Sequence, residues 1–279
     1  MTVTPRSFGF VADLVRRRSG IALEPHKQYL VESRLLPLAR AAGHSGVEAY
    51  VTALRHHPDE RTHDTVVEAL TTHETSWFRD VVPFRALREH VVPAWRADAP
   101  AGARLRVWSA ACSTGQEPYS VVMAVADLEP GVDVLATDLS EPVLERARRG
   151  HYTQLEVDRG LPEPMRARHL TRAGRGWQVS EDLRRRVTFR RHNLLDLAPA
   201  GPFDVVLLRN VLIYLDAEAR RGVLARVHGV LRRGGWLVLG AAETTAGVHG
   251  GFEPVVLGGA HLYRAAAVAP AVTGGATLR

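Results

Sequence analysis

Only one cysteine, Cys112, occurs in 279 residues. A single thiol excludes a disulfide framework and a cysteine-based zinc cluster, and it fits a reducing cytoplasm. Long hydrophobic runs are also missing. No stretch reaches the roughly 18 apolar residues of a membrane span, and the N-terminus carries no apolar signal core, so neither membrane insertion nor secretion is expected. The chain has thirteen histidines, yet none falls into HExxH or a comparable ligand spacing. The adjacent His56 and His57 point to different faces of a helix, and no metal site is expected. A G-x-G-x-x-G phosphate loop is lacking too, which argues against a nicotinamide dinucleotide.

What is present is an ordinary apolar fraction, 46% of the chain, enough for one large α/β domain or for one domain with a small helical one. Charge is uneven. Residues 166–191 hold nine arginines (166, 168, 172, 175, 184, 185, 186, 190 and 191) against Glu181 and Asp182, a net +7 in a chain of +6 overall. Two readings stand for this patch: a docking face for an acidic partner, or an arginine-rich solvated surface. Aromatic residues do not interleave with it as in RNA-binding modules, so nucleic acid is not the expected partner.

Residues 1–72 read as a small α-bundle. Ser7 is placed to cap a run with Phe10, Val11, Leu14 and Val15 on one face, and Gly20 follows in the manner of a helix C-terminus. Helices are predicted at about 25–42, 46–57 and 60–71, with Leu30, Leu35 and Leu38 facing inward in the first of these. A linker and connecting helix occupy 73–98. From 99 to 264 short β-branched runs alternate with helices: "RLRVWSA", "DVLATDLS", "RVTFRRHN", "FDVVLLRN" and "GGWLVLG" are strands, and "FEPVVLG" with "HLYRA" forms a terminal hairpin. Alternation of this kind predicts a doubly wound, mostly parallel sheet. Residues 265–279 are expected to fray.

In an open α/β sheet, ligands bind at the carboxyl ends of the strands, and four such ends carry polar side chains here. The first loop, "SAACSTGQEPYS", has one glycine, Gly115, and opens a helix with Glu117. An acidic residue there, without a phosphate cradle, suits a ligand with a positive charge and no phosphate; S-adenosylmethionine has that description. Asp138 ends the second strand, placed either to bind both ribose hydroxyls or to cap a helix. Asn193 and Leu194 follow the third strand, an amide for a purine edge beside an apolar wall. Arg209 and Asn210 end the fourth, odd as packing because both need partners. One further stretch is unusual: "TTHETSWFRD" (71–80) puts hydroxyls, a Trp-Phe pair and an arginine into a short connector.

Taken in order, "TTHETSWFRD", "RVWSAACSTGQEPYS", "ATDLS", "FRRHNLL", "FDVVLLRNVLIYLD" and the later "GAAETT" resemble the CheR family of chemotaxis receptor methyltransferases, over about residues 8–264. The resemblance implies a class I S-adenosylmethionine-dependent methyltransferase fold, Rossmann-like, with an all-α N-terminal domain. It implies transfer of the methyl group to glutamate carboxylates of methyl-accepting chemotaxis receptors, with S-adenosylhomocysteine as product. It places His73, Thr75, Arg79, Glu117, Asp138, Asn193, Leu194, Arg209 and Asn210 at the cofactor, and Arg79 with Tyr214 near the reacting methyl. The family usually carries Asn where this chain has His73, and "GEEP" where it has "GQEP".

The same resemblance puts a small β-subdomain at about 161–190, with "GRGWQVS" and "RVTFRR" as its hairpin strands, and a cytoplasmic monomer recruited to membrane-bound receptor arrays by the receptors' cytoplasmic domains. Trp77 and Phe78 either close the cleft against water or pack between the domains, and Cys112 reads as a small packing residue. Rival readings keep the fold and change the acceptor, or make the chain a catalytically silent S-adenosylmethionine-binding signalling module.

Overall fold

The computed structural model describes residues 3–266; the tail expected to fray lies outside them beyond Ala266. Helix α1 (Pro5–Ser19) starts at a proline whose fixed φ suits the first helical turn, and Thr4 caps it by accepting the Ser7 N–H at 3.2 Å. Ser7, the expected cap, is buried inside the helix and its hydroxyl donates to Glu48 at 2.7 Å. Pro5 sets the start earlier than the hydrophobic spacing does. Gly20, at φ 73°, ends the helix as expected.

Helices α2 (Gln28–Ala41), α3 (Val47–His56) and α4 (Glu60–Leu70) join α1 around Val11, Val15, Leu35, Val51 and Val66. In α2 the buried stripe is Val31, Leu35 and Ala39, so Leu30 and Leu38 flank it half-buried rather than leading it. Helix α5 (Val82–Ala86), a π turn at Leu87–Val91 and α6 (Val92–Asp98) run on to the sheet.

That sheet is built from β1 (Arg106–Ala110), α7 (Gln116–Val125), β2 (Asp133–Asp138) and α8 (Glu141–Arg149). An excursion follows: β3 (His151–Thr153), α9 (Gln154–Asp158), α10 (Glu163–His169), β4 (Leu170–Ala173), β5 (Gly176–Val179) and α11 (Glu181–Arg184). The chain returns as β6 (Val187–Arg191), β7 (Phe203–Leu208), α12 (Ala217–Val230), β8 (Leu231–Leu239), β9 (Phe252–Leu257) and β10 (Ala260–Ala265). The strand order is β6-β2-β1-β7-β8-β10-β9, parallel through β8 and antiparallel at β10 and β9. Strand β7 is buried on both faces, as a central parallel strand must be.

A separate three-stranded sheet, β3-β5-β4, stands outside the main one. "GRGWQVS" supplies its hairpin, but "RVTFRR" does not: Val187–Arg191 is the edge strand of the main sheet, parallel to β2. The small sheet therefore draws on residues 151–179, earlier than expected, because Tyr152 lies opposite Trp177 across β3 and β5.

Between the helical portion and the sheet, Trp77 and Phe78 are 0% and 6% exposed. Trp77 stacks on Tyr119 and meets Tyr152 edge-on at 4.9 Å, while Phe78 meets Phe84 edge-on at 5.3 Å. Their backbone is held as well, Trp77 N–H donating to the Arg159 carbonyl at 3.2 Å and Phe78 N–H to the Ser120 hydroxyl at 3.0 Å. A Cβ on Gly160 would lie 2.2 Å from the Trp77 carbonyl oxygen, so that turn needs its glycine. Packing, not closure of the cleft, is the role of this pair. Trp77→Ala is expected to lower the unfolding free energy by about 3–5 kcal/mol in urea denaturation, and Trp77→Phe by less than half of that, because the buried indole N–H has no partner to lose. Equal effects would show that ring volume does not set the cost.

Candidate active site

At the carboxyl ends of the parallel strands lies a cleft of about 940 Å³. All ten residues expected at the site line it: His73, Thr75, Arg79, Glu117, Asp138, Asn193, Leu194, Arg209, Asn210 and Tyr214. The connector 71–75 forms one wall, the β1–α7 loop and the ends of β2 and β7 form the floor, and Ser19 with Ile21 from the helical portion complete the rim.

The floor is acidic and buried. Glu117 Oε1 accepts from the Ser109 hydroxyl at 2.7 Å, and its Oε2 from Arg209 at 3.1 Å. Loss of solvent pushes the Glu117 pKa above its ordinary value, against the pull of Arg209. Asp138 Oδ2 accepts the Ser113 N–H at 2.8 Å and Oδ1 the Ser140 N–H at 3.1 Å, with His73 Nδ1 3.9 Å away. Burial raises its pKa too, opposed first by the Ser140 N–H. Ser140, not Asp138, occupies the cap position of α8. Cys112 is buried on the floor, and desolvation first, then Asp138 and Glu117, drives its thiol well above the usual range, as befits a packing residue.

Two expected residues turn out to be committed to the protein itself. Arg209 is buried, with Nη1 donating to Glu117 and Nη2 to the Arg79 carbonyl at 2.6 Å and to Asp80 at 2.9 Å, while its guanidinium lies 5.3 Å from the Phe84 ring centre. The Asn193 amide donates to the Arg18 carbonyl at 2.6 Å and accepts the Leu195 N–H at 3.1 Å. Asn193 thus ties the end of α1 to the cleft, with one amide N–H and one lone pair of its oxygen left over. Arg79 differs: its Nη1 donates to the Glu74 carbonyl at 3.1 Å, and no carboxylate pairs with it among the described residues. The His73 ring is bound to Thr71 at 2.6 Å and that of His192 to the Leu197 carbonyl at 3.0 Å.

Sequence reasoning missed Glu243. Its carboxylate accepts N–H groups of Asn210 (2.7 Å), Val211 (2.9 Å), Leu212 (2.7 Å), Ile213 (3.4 Å) and Gly240 (2.7 Å), holding the turn that leads to Tyr214. The turn begins with Asn210 at φ 57°, and it points successive N–H groups inward, where only an anion satisfies them. The signal was there: a Glu just beyond Gly240, at the end of the strand beside "LLRN". The helical portion also reaches this turn, since Ala22 N–H donates to the Tyr214 carbonyl at 2.8 Å and Asp216 N–H to the Gly20 carbonyl at 2.9 Å.

The donor set fits S-adenosylmethionine. Gly115 is a glycine for packing, since a Cβ there would lie 2.8 Å from that of Ala147. Glu117 and Asp138 are the carboxylates that would meet an ammonium and a ribose, and Arg79 is the guanidinium that would meet a carboxylate. Replacing Glu243 by Gln removes the charge and turns one acceptor into a donor. We expect a loss of about 1.5–3 kcal/mol in guanidinium unfolding, and a change below about 0.5 kcal/mol would mean the turn holds itself.

Residues 73–257 match the family model described as CheR methyltransferase, SAM binding domain, and residues 6–71 match that of the CheR methyltransferase all-alpha domain. A chemotaxis protein methyltransferase of Pseudomonas putida is 40% identical over 90% of this chain and 94% of its own, and chemotaxis protein methyltransferase 1 of Pseudomonas aeruginosa is 40% identical over 95% and 100%. The chemotaxis protein methyltransferase of Salmonella typhimurium is 33% identical over 87% of this chain and 85% of its own. With the site and both portions of the chain matched, this protein belongs to the CheR methyltransferase family and is an S-adenosylmethionine-dependent methyltransferase of chemotaxis.

Proposed function

We propose that the acceptor is the side-chain carboxylate of glutamates in the cytoplasmic domain of methyl-accepting chemotaxis receptors, and that the product is a glutamyl methyl ester. The observation that carries this reading is the guanidinium of Arg79, which lines the cleft and has no carboxylate partner among the described residues. Glu117 and Asp138 each hold two donors already, so neither carboxylate competes for it. A neutral acceptor would need a base to take its proton. A glutamate, with a pKa of about 4.3, arrives ionised.

Bound S-adenosylmethionine supplies an electrophilic methyl on a sulfonium. The chain's residues hold and orient: Glu117 and Asp138 fix the cofactor, Arg79 aligns a carboxylate, and Tyr214 stands near the reacting methyl. Such positioning supplies roughly 7–11 kcal/mol in favourable cases. Arg79 acts here by orientation, so Arg79→Ala is expected to cut turnover more than cofactor affinity. A collapse of affinity with normal turnover at saturation would reverse that assignment.

The arginine-rich stretch bears on the partner. Arg166, Arg184, Arg186 and Arg191 are paired with carboxylates, whereas Arg168, Arg175, Arg185 and Arg190 have no carboxylate partner among the described residues. With Arg172, which lies over the Trp177 ring and has no carboxylate partner either, these residues give the patch its field, which suits an acidic receptor helix. Reversing Arg168, Arg175 and Arg185 to Glu is expected to slow receptor methylation, most strongly at low salt; an unchanged rate there would detach the patch from the receptor.

The decisive assay incubates the protein with methyl-labelled S-adenosylmethionine and membranes carrying a chemoreceptor of the same cell, then releases methanol with mild alkali. Base-labile label on the receptor band is the expected result. If the receptor stays unlabelled while cofactor binding is intact, another acceptor is the substrate.

A further inference from the structure

A second cavity, of about 790 Å³, lies at the other ends of the same strands, where β7 begins at Phe203 and β8 at Leu231. One wall is an irregularity of the sheet. Phe203 pairs with Leu231 and Val205 with Trp236, so residues 232–235 loop out opposite the single residue Asp204. Loops of this kind re-aim side chains, and here they carry Arg232 and Arg233 into the lining. Two glycines make it possible: Gly234 sits at φ 72°, and a Cβ on Gly235 would lie 2.8 Å from the Arg232 carbonyl oxygen and 3.0 Å from that of Asp204.

The charges are arranged, not scattered. Asp204 is buried, with Oδ2 accepting the Arg106 N–H at 2.9 Å and Oδ1 2.7 Å from Arg232 Nε, so Arg232 is anchored. Arg264 lies opposite Trp236 across β10 and β8, its guanidinium 5.6 Å from the indole centre. Neither Arg264 nor Arg233 has a carboxylate partner among the described residues. The facing wall comes from α6 and brings a second half-buried indole, Trp95, and the exposed Asp98, which is also without an ion-pair partner. Both indoles pack against the main core, which fixes their planes.

We propose that this cavity binds a purine nucleotide. Arg233 and Arg264, braced by the anchored Arg232, take the phosphates as guanidinium forks. The indole of Trp95 takes the base by stacking, and the Asp98 carboxylate accepts N–H groups from the base edge. The cavity opens at the amino ends of the strands, so a nucleotide there leaves the methyl-transfer cleft free.

The test uses the full chain saturated with S-adenosylhomocysteine, which keeps added nucleotides out of the main cleft. GTP, ATP and inorganic pyrophosphate are titrated in turn by calorimetry and by quenching of tryptophan emission. At least one nucleotide is expected to bind with Kd below about 1 mM and about tenfold more tightly than pyrophosphate. Arg233→Glu combined with Arg264→Glu should weaken it at least about tenfold while leaving S-adenosylhomocysteine affinity unchanged, which also shows that the variant is folded. The proposal is overturned if neither nucleotide binds, if the double variant binds as well as the parent, or if pyrophosphate binds as tightly as the nucleotides.

Discussion

The buried guanidinium of Arg209 is the interaction on which the geometry of the cleft depends. Taking a cation out of water costs several kcal/mol unless acceptors surround it, and this one is met by Glu117, Asp80 and the Arg79 carbonyl. Those partners come from α7 and from the connector, so one side chain at the end of β7 fixes three segments far apart in sequence. Phe84 supplies an aromatic wall beside it. With Arg209 committed in this way, Glu117 keeps its orientation and Arg79 is left facing the cleft with its guanidinium available. Arg209 is thus a positioning residue that serves the residues around it.

Strain is concentrated at the same place. Five residues other than glycine have left-handed backbone: Phe78, Asp80, Ala111, Ser113 and Asn210. Three line the cleft and two flank Arg79. Each costs about 1–3 kcal/mol and persists only where the surroundings over-determine it. The determinants are visible here. Trp77 and Phe78 are bolted into the core, Asp138 and the Thr137 carbonyl hold the β1–α7 loop, and Glu243 gathers the N–H groups after Asn210. A rigid core carries a strained rim, so the cleft is shaped before any ligand arrives.

The sequence made the alternating architecture readable because strand and helix periods are local properties. The same holds for Glu117 and Asp138, whose place at strand ends follows from the sheet rule alone. Other features were illegible because their cause lies far along the chain. The Asn193 amide looks free until Arg18 is brought beside it. "RVTFRR" suits a hairpin as well as an edge strand, and only pairing with β2 decides. Glu243 reads as a loop residue until the turn after β7 presents its N–H groups. Ser7 lost its capping role to a neighbour in sequence, Thr4, because the ring of Pro5 sets the first helical turn ahead of the hydrophobic spacing.

The short strand-like contact between Ile21 and Leu215, with the bonds from Ala22 to Tyr214 and from Asp216 to Gly20, has a consequence for how the protein is made. Its two sides are far apart in sequence and leave the ribosome at different times, at about 5–20 residues per second. The α-bundle has its own core around Val15 and Leu35 and can pack early. Its seam with the catalytic sheet stays open until the turn after β7 has emerged. Tyr214 therefore meets its backbone partner Ala22 only long after the bundle has been made, and a nascent chain stalled before that point carries a folded bundle with no cleft to close.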